Sequence, residues 1–317
     1  MKLPLTIQII VKNDEDKIEQ TLQSISGLNA HILVGNIGCA DKSIEICEKY
    51  DTEIVRISLN NDFSKARNYL SDLSKNNWQF YIHPGEVIFY GIDNIKNILN
   101  KSSAYKINIV QDDLINKSTR IWNKKTGLKF KNPVFETLYG DYKSEYLDIY
   151  LTGSSQEYEF SILKKWKENS PFNNEVLYYL SIYHLKNKDW SNFLNLAELY
   201  LYQEKKESIS TIMTKYYYSM TCCYLNKDYQ KAAKFLLPCL IKQPTMAEFW
   251  CLLADIYYQS QDYKRAICFY ENAVLVGKKR LKHDDWPIEI SKYKDYPTEM
   301  IKNCKKIIDS YKILVAD

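Results

Sequence analysis

Long hydrophobic runs are missing from this chain, and no stretch approaches the roughly 18 consecutive apolar residues that a membrane span requires. The segment Met1-Lys2-Leu3-Pro4-Leu5 leads directly into a β-type run rather than into the apolar core of a signal peptide, so a cytoplasmic protein is expected. Cysteine pairs with CxxC spacing are missing too. The 8 cysteines, concentrated in the second half, are expected to be reduced core residues rather than disulfides or zinc ligands. Charge of one sign is scarce: 43 Lys and Arg against 39 Asp and Glu leave a formal charge of +4, too small to imply a nucleic-acid partner. The densest basic run, Lys278-Lys279-Arg280, reads as a solvated face or as a contact for phosphate or an anionic lipid head. No Gly-rich phosphate loop, HExxH helix or G-x-S-x-G elbow occurs, which removes P-loop, zincin and α/β-hydrolase chemistry from consideration.

What remains is a chain of 317 residues, 45% hydrophobic, long enough for two domains with a full core in each. Its first 86 residues read as strand-then-helix units. Apolar, β-branched runs predict strands at Leu5 to Val11, His31 to Val34, Glu53 to Ile57 and Trp78 to Ile82. Helices are predicted over Glu15 to Ile25, with Ile18, Leu22 and Ile25 on one face, and over Asp41 to Tyr50, with Ile44 and Cys47. A third, Phe63 to Leu73, carries Ala66, Leu70 and Leu73 at helical spacing behind Asp62 as its cap. Such alternation implies parallel strands joined by right-handed crossovers, with ligands at the carboxyl ends of the strands.

Those ends carry Val11-Lys12-Asn13-Asp14-Glu15, Gly35-Asn36-Ile37-Gly38-Cys39-Ala40-Asp41, Asn60-Asn61-Asp62-Phe63-Ser64-Lys65-Ala66-Arg67-Asn68 and His83-Pro84-Gly85-Glu86. In that order they resemble the nucleotide-sugar domain of family 2 glycosyltransferases, the GT-A fold, in the subgroup where tetratricopeptide-like helices follow. The heptad Asp62 to Asn68 is the most specific part, and the resemblance covers about the first 140 residues. It implies a nucleotide-sugar donor contacted by Asn13, Asp41, Asp62, Arg67 and Arg120. Read without the family, Asp41 and Asp62 are helix caps, and Asp62 with Arg67 is an ion pair at a helix start.

The chain departs from the family pattern at several of these places. Gly35 stands where the family has the Asp that contacts the nucleotide, and His83 and Gly85 replace the aspartates of the metal motif. Hard divalent cations with oxygen ligands usually neutralise a nucleoside diphosphate. His83 and Glu86 would make a poor magnesium site and a weak manganese one. The alternatives are transfer without a metal, with lysine or arginine covering the pyrophosphate, or a plain turn that leads the chain off a buried strand. For the general base of an inverting transfer, Glu136 matches the terminal Glu of the family's segment, here Phe130-Lys131-Asn132-Pro133-Val134-Phe135-Glu136. Asp113, beside Asp112, is an alternative base or a solvated loop acid.

From about residue 157 the pattern is helical alone. Trp250, Leu253, Ala254, Tyr257, Ala266, Tyr270 and Ala273 follow the tetratricopeptide pattern of large and small residues. Tyr216, Ser219, Met220, Cys223, Ala232, Leu236 and Cys239 repeat it 34 positions earlier, and Leu177, Leu180, Ser181, His184, Phe193, Ala197 and Tyr200 repeat it again upstream. These predict three helical pairs and a final helix near Glu299 to Leu314, stacked as a short solenoid with one face left for a peptide or protein. Tyr216, Tyr217 and Tyr218 are consecutive and are expected not all to face the core.

The expected architecture is therefore an α/β GT-A-like domain over 1–150 and an all-α tetratricopeptide-like solenoid over 157–317. Two functions fit it. One is an inverting glycosyltransferase moving a sugar from a nucleotide donor to a protein, peptide or surface-glycan acceptor, with manganese, magnesium or no metal. The other is a degenerate transferase that works as a binding or scaffolding module through its repeats.

Overall fold

The computed structural model describes residues 2–97, 102–153, 159–280 and 284–316. The chain divides into two units, Met1–Asn169 and Ser170–Asp317, the first a mixed α/β sheet domain and the second helical.

Strand β1 (Leu5–Val11) is buried at every position, as a parallel strand covered on both faces must be. It pairs in parallel with β2 (His31–Asn36) on one side and with β4 (Trp78–Tyr81) on the other, and β3 (Thr52–Arg56) extends the parallel set beyond β2. These strands therefore end at one edge, where the loop residues singled out above collect. The sheet continues through β5 (Val87–Tyr90), β6 (Ala104–Gln111), β7 (Leu114–Asn123) and β10 (Ser144–Thr152) in the order β3-β2-β1-β4-β7-β6-β10-β5. β7 runs antiparallel to both β4 and β6. A separate two-stranded ribbon joins β8 (Lys129–Lys131) to β9 (Thr137–Tyr139).

Helix α1 (Ile18–Ile25) buries the expected Ile18, Leu22 and Ile25. It starts later than Glu15 because the Asp14 carbonyl first accepts the amides of both Lys17 and Ile18 in a turn. Helix α2 (Ser43–Glu48) is also shorter than expected; Asp41 stands two residues before its first turn, its carboxylate accepting the Ser43 amide at 3.1 Å. Helix α3 (Phe63–Leu73) matches its prediction, and Asp62 caps it by accepting the Lys65 amide at 3.1 Å. Its buried face differs from the expected one. Leu73 is exposed, whereas Arg67 is wholly buried beside Ala66 and Leu70.

A polar ribbon lies between α3 and the sheet. The Gln8 amide donates to Ser71 Oγ at 2.9 Å and to Gln79 Oε1 at 2.8 Å, and Ser74 Oγ donates to Thr6 Oγ1 at 2.7 Å. Helix α4 (Glu159–Asn169), expected to open the helical domain, instead belongs to the first unit, which moves the boundary from 150–157 to 169. Its Ile162 and Leu163 are buried, and Lys165 Nζ donates to Asn61 Oδ1 at 3.3 Å. Helical periodicity was legible there, but the surface on which the helix packs was not.

The second unit consists of the pairs α5 (Asn174–Lys186) with α6 (Trp190–Gln203), α7 (Ile209–Thr221) with α8 (Tyr229–Lys242), and α9 (Ala247–Gln259) with α10 (Tyr263–Gly277), followed by α11 (Tyr296–Ala316). Each pair turns through one left-handed residue, Lys188, Lys227 or Gln261. An aspartate follows it each time, Asp189, Asp228 or Asp262, and caps the second helix. Among the small repeat positions, Ser181, Ala197, Ser219, Ala232, Ala254 and Ala266 are fully buried, which lets the helices approach. In the tyrosine run Tyr216 and Tyr218 are buried and Tyr217 is half-buried, so the three do not all face the core, and two of them can be buried because α7 is covered on several sides. Tyr216 packs on Phe249, and Tyr218 packs on Phe235 and donates to Glu198.

One buried acid ties the last repeat together. Asp255 accepts hydroxyls from Tyr224, Tyr270 and Tyr296, three residues from different elements. Replacing Asp255 by Ala leaves these hydroxyls without their acceptor, and the helical transition in urea should lose about 3 kcal/mol or more. Asp255→Asn, which keeps an acceptor oxygen, should lose less than half as much.

Candidate functional site

At the carboxyl edge of the parallel strands, side chains knit the first two loops together. Asn13, left-handed at φ 54°, accepts the Ala40 amide on its Oδ1 at 2.8 Å. Asp41 accepts the Glu15 amide at 3.0 Å, and Glu15 returns a contact by accepting the Lys42 amide at 2.9 Å. Asn13 and Asp41, expected at the donor, are thus brought together, but as braces of the loop backbone. Asp62 is occupied likewise by the amide of Lys65 and by Ser64 Oγ, which donates at 2.6 Å.

Beyond β4 lies a buried cluster of charges. Arg120 grips Glu86 at two points, Nη1 to Oε2 at 3.0 Å and Nη2 to Oε1 at 2.7 Å. Arg67 Nε donates to Glu136 Oε1. Both guanidiniums stand over the ring of Tyr81, at 4.1 Å for Arg67 and 4.3 Å for Arg120, an arrangement favoured by the negative face of the ring. His83 completes the cluster, with Arg67 Nη2 at 3.4 Å from both ring nitrogens. Burial holds His83 well below its ordinary value of 6.5, and the adjacent Arg67 and Arg120 push the same way, so its imidazole is neutral.

The side chains expected to hold a metal already have partners. Both oxygens of Glu86 face Arg120, Oε2 also accepts the His83 amide at 2.8 Å, and two guanidiniums flank the His83 ring. A cation there would meet positive charge already in place. Among the described residues no group of three His, Cys, Asp or Glu side chains is positioned to hold a metal. Glu136 has a guanidinium where a general base would have the acceptor hydroxyl. Asp113 is exposed in the tight turn between β6 and β7, away from the buried cluster.

Gly35 adds a steric departure. A Cβ on Gly35 would stand 2.6 Å from Ile57 Cδ1 and 3.0 Å from Leu70 Cδ1, so apolar side chains fill the space in which the family's aspartate would sit. Sequence reasoning missed Tyr81, the platform of the cluster, and the Gln8–Gln79 pair. The available signal was the polar residues set in otherwise apolar, buried strands.

No protein family and no curated protein matches the chain. Among solved structures, S. aureus TarS 1-349, a glycosyltransferase, is 11% identical over 96% of this chain and 92% of that one, with a TM-score of 0.38. MamA from Desulfovibrio magneticus RS-1, residue 41 to its end, is a tetratricopeptide protein 17% identical over 50% of this chain and 85% of that one, with a TM-score of 0.36. Likenesses of this size carry no functional argument, so the cluster itself must supply it.

Removing one partner of a buried ion pair leaves an uncompensated charge. Arg67→Ala or Glu136→Ala should each destabilise the α/β unit by about 3–5 kcal/mol in urea, whereas Arg67→Met with Glu136→Leu should cost clearly less than the two single changes summed. Because His83 stays neutral when folded but takes a proton when unfolded, its contribution is complete above 6.5 and is lost as the pH falls below it. Compared with His83→Asn, the native chain should lose roughly 1.4 kcal/mol per pH unit below that value.

Proposed function

We propose that this protein has a glycosyltransferase-like α/β unit that does not transfer sugar through a metal-bound diphosphate, and that it works by binding through its helical repeats. The observation that carries this reading is the pairing of Glu86 with Arg120 and of Glu136 with Arg67. Two carboxylates that could hold a metal or activate an acceptor are each neutralised by a buried guanidinium, which leaves neither free for chemistry. The filled space beside Gly35 supports the same conclusion for the nucleotide. Tandem helical pairs, in turn, are an architecture whose surfaces serve partners.

A second reading has a specific observation in its favour. Arg67 Nη1 and Arg120 Nε are buried donors without a hydrogen-bond partner, and a diphosphate that reached them would have its charge met by arginine instead of a metal. Calorimetric titration with uridine, guanosine and cytidine diphosphates, each with manganese, with magnesium and with chelator, separates the two. The binding reading expects no nucleotide to bind with Kd below about 1 mM under any condition. Tight binding that the chelator leaves unchanged would establish the arginine reading, and binding that requires a metal would overturn both.

A further inference from the structure

Among the described residues, the four most exposed large apolar side chains of the repeat unit are Phe172 at 85%, Ile241 at 79%, Tyr202 at 77% and Leu275 at 58%. Three of them occupy one repeat position. Tyr202, Ile241 and Leu275 follow by two residues the buried Tyr200, Cys239 and Ala273, which end the repeat pattern on α6, α8 and α10. Two residues turn a side chain about 200° around a helix, so these three point away from the core that Tyr200, Cys239 and Ala273 enter. Packing within the unit gives no reason for a large apolar residue at this position in every repeat.

All four lie at one edge of the unit, where each second helix ends beside the start of a first helix. Asn174 Nδ2, at the start of α5, donates at 3.4 Å to Glu204 Oε2, just past α6, and Phe172 lies two residues before Asn174. Lys242, the last residue of α8, pairs at 2.8 Å with Glu207 in the connection between α6 and α7. A Cβ on Gly277, the last residue of α10, would stand 4.0 Å from the Cβ of Ala247, which opens α9, and residues 243–246 join α9 to Lys242.

The same edge is basic. Lys205, Lys206, Lys242, Lys278 and Lys279 are exposed there, and Lys205 Nζ stands 5.1 Å from the centre of the Tyr202 ring. The acids nearby are Glu175, Glu204 and Glu207. Glu204 accepts Asn174 and the Lys206 amide, and Glu207 pairs with both Lys215 and Lys242. A peptide groove would wall its apolar residues in, whereas Phe172, Tyr202 and Ile241 stand clear of the surface. Protruding apolar and aromatic side chains among lysines match an anionic bilayer, whose headgroup layer takes up rings and aliphatic tips while its phosphates meet the ammonium groups.

We propose that this edge docks the protein on an anionic membrane surface, with Phe172, Tyr202, Ile241 and Leu275 entering the headgroup layer and the five lysines lying over it. The inference deepens the binding reading above, and rests on it, by naming the edge and its partner.

Flotation of the full chain with vesicles tests it. Partitioning onto phosphatidylcholine vesicles holding about 30 mol% phosphatidylglycerol should exceed that onto phosphatidylcholine alone at least about tenfold. Phe172→Ser with Ile241→Ser should lower it at least about tenfold while the helical circular dichroism stays unchanged. Leu225→Ser, in the turn that follows α7 at the opposite edge, should leave it unchanged. Equal partitioning onto both vesicle types, or equal partitioning of the double variant and the native chain, would overturn the proposal. So would binding of a synthetic acidic amphipathic helical peptide where neither vesicle binds, which would make the edge a protein-docking surface. Should the double variant fail to fold, hydrogen exchange on the unaltered chain decides: anionic vesicles should slow the amides of 204–208 and 243–246 but not those of 222–228, and no slowing at the first two overturns the proposal. Nucleotide titration judges the parent reading separately: metal-dependent binding would overturn that reading whatever the vesicles do, and failure on vesicles without nucleotide binding would remove only this edge.

Discussion

The α/β unit is organised around two buried guanidinium–carboxylate pairs on the ring of Tyr81. Charges removed from water are tolerated only when each finds a close partner. Arg120 and Glu86 satisfy this at two points, Arg67 and Glu136 through Nε, and the neutral His83 ring fills the remaining space. The condition sets much else in the unit. It draws together β4, α3, β7 and the segment just before β9, since each supplies a member of the cluster, and it holds the turn after β4 closed through Glu86 and the His83 amide.

The same pairs define what the carboxyl edge can do. In a fold of this strand order, that edge is where ligands bind. Here the loop aspartates and asparagine brace backbone amides, the acids beyond β4 face arginines, and Ile57 and Leu70 close the space at Gly35. The scaffold is a mixed α/β sheet domain, while the acids beyond its β4 strand are held in buried ion pairs. The helical unit reverses this division. Its frame is ordinary repeat packing, and its buried acids, Glu248 and Asp255, receive hydroxyls and a guanidinium partly from a segment laid over the helices.

Much of this was legible in the sequence. Strand β1 and helix α3 have their predicted bounds, since a fully apolar run and an aspartate cap are local signals. The three helical pairs appear where the repeated pattern placed them, two of them 34 residues apart, because the small residues that allow close approach recur at fixed positions within each repeat. Less legible were the ends of α1 and α2, set by turns that use the Asp14 carbonyl and the Asp41 carboxylate, and the burial of Tyr218 beside Tyr216, set by how many neighbours α7 has.

Sequence by itself determined the succession of strands and helices, the repeat register and the identity of the residues at the carboxyl edge, all of which follow from local periodicity and capping. Only the tertiary structure decided what those residues face. Arg67 and Glu136 are 69 positions apart and Arg120 and Glu86 are 34 apart, so no local pattern announces that they pair. A carboxylate opposite a guanidinium, rather than opposite solvent or a cation, is a fact of three-dimensional proximity, and it separates a buried brace from a reactive acid.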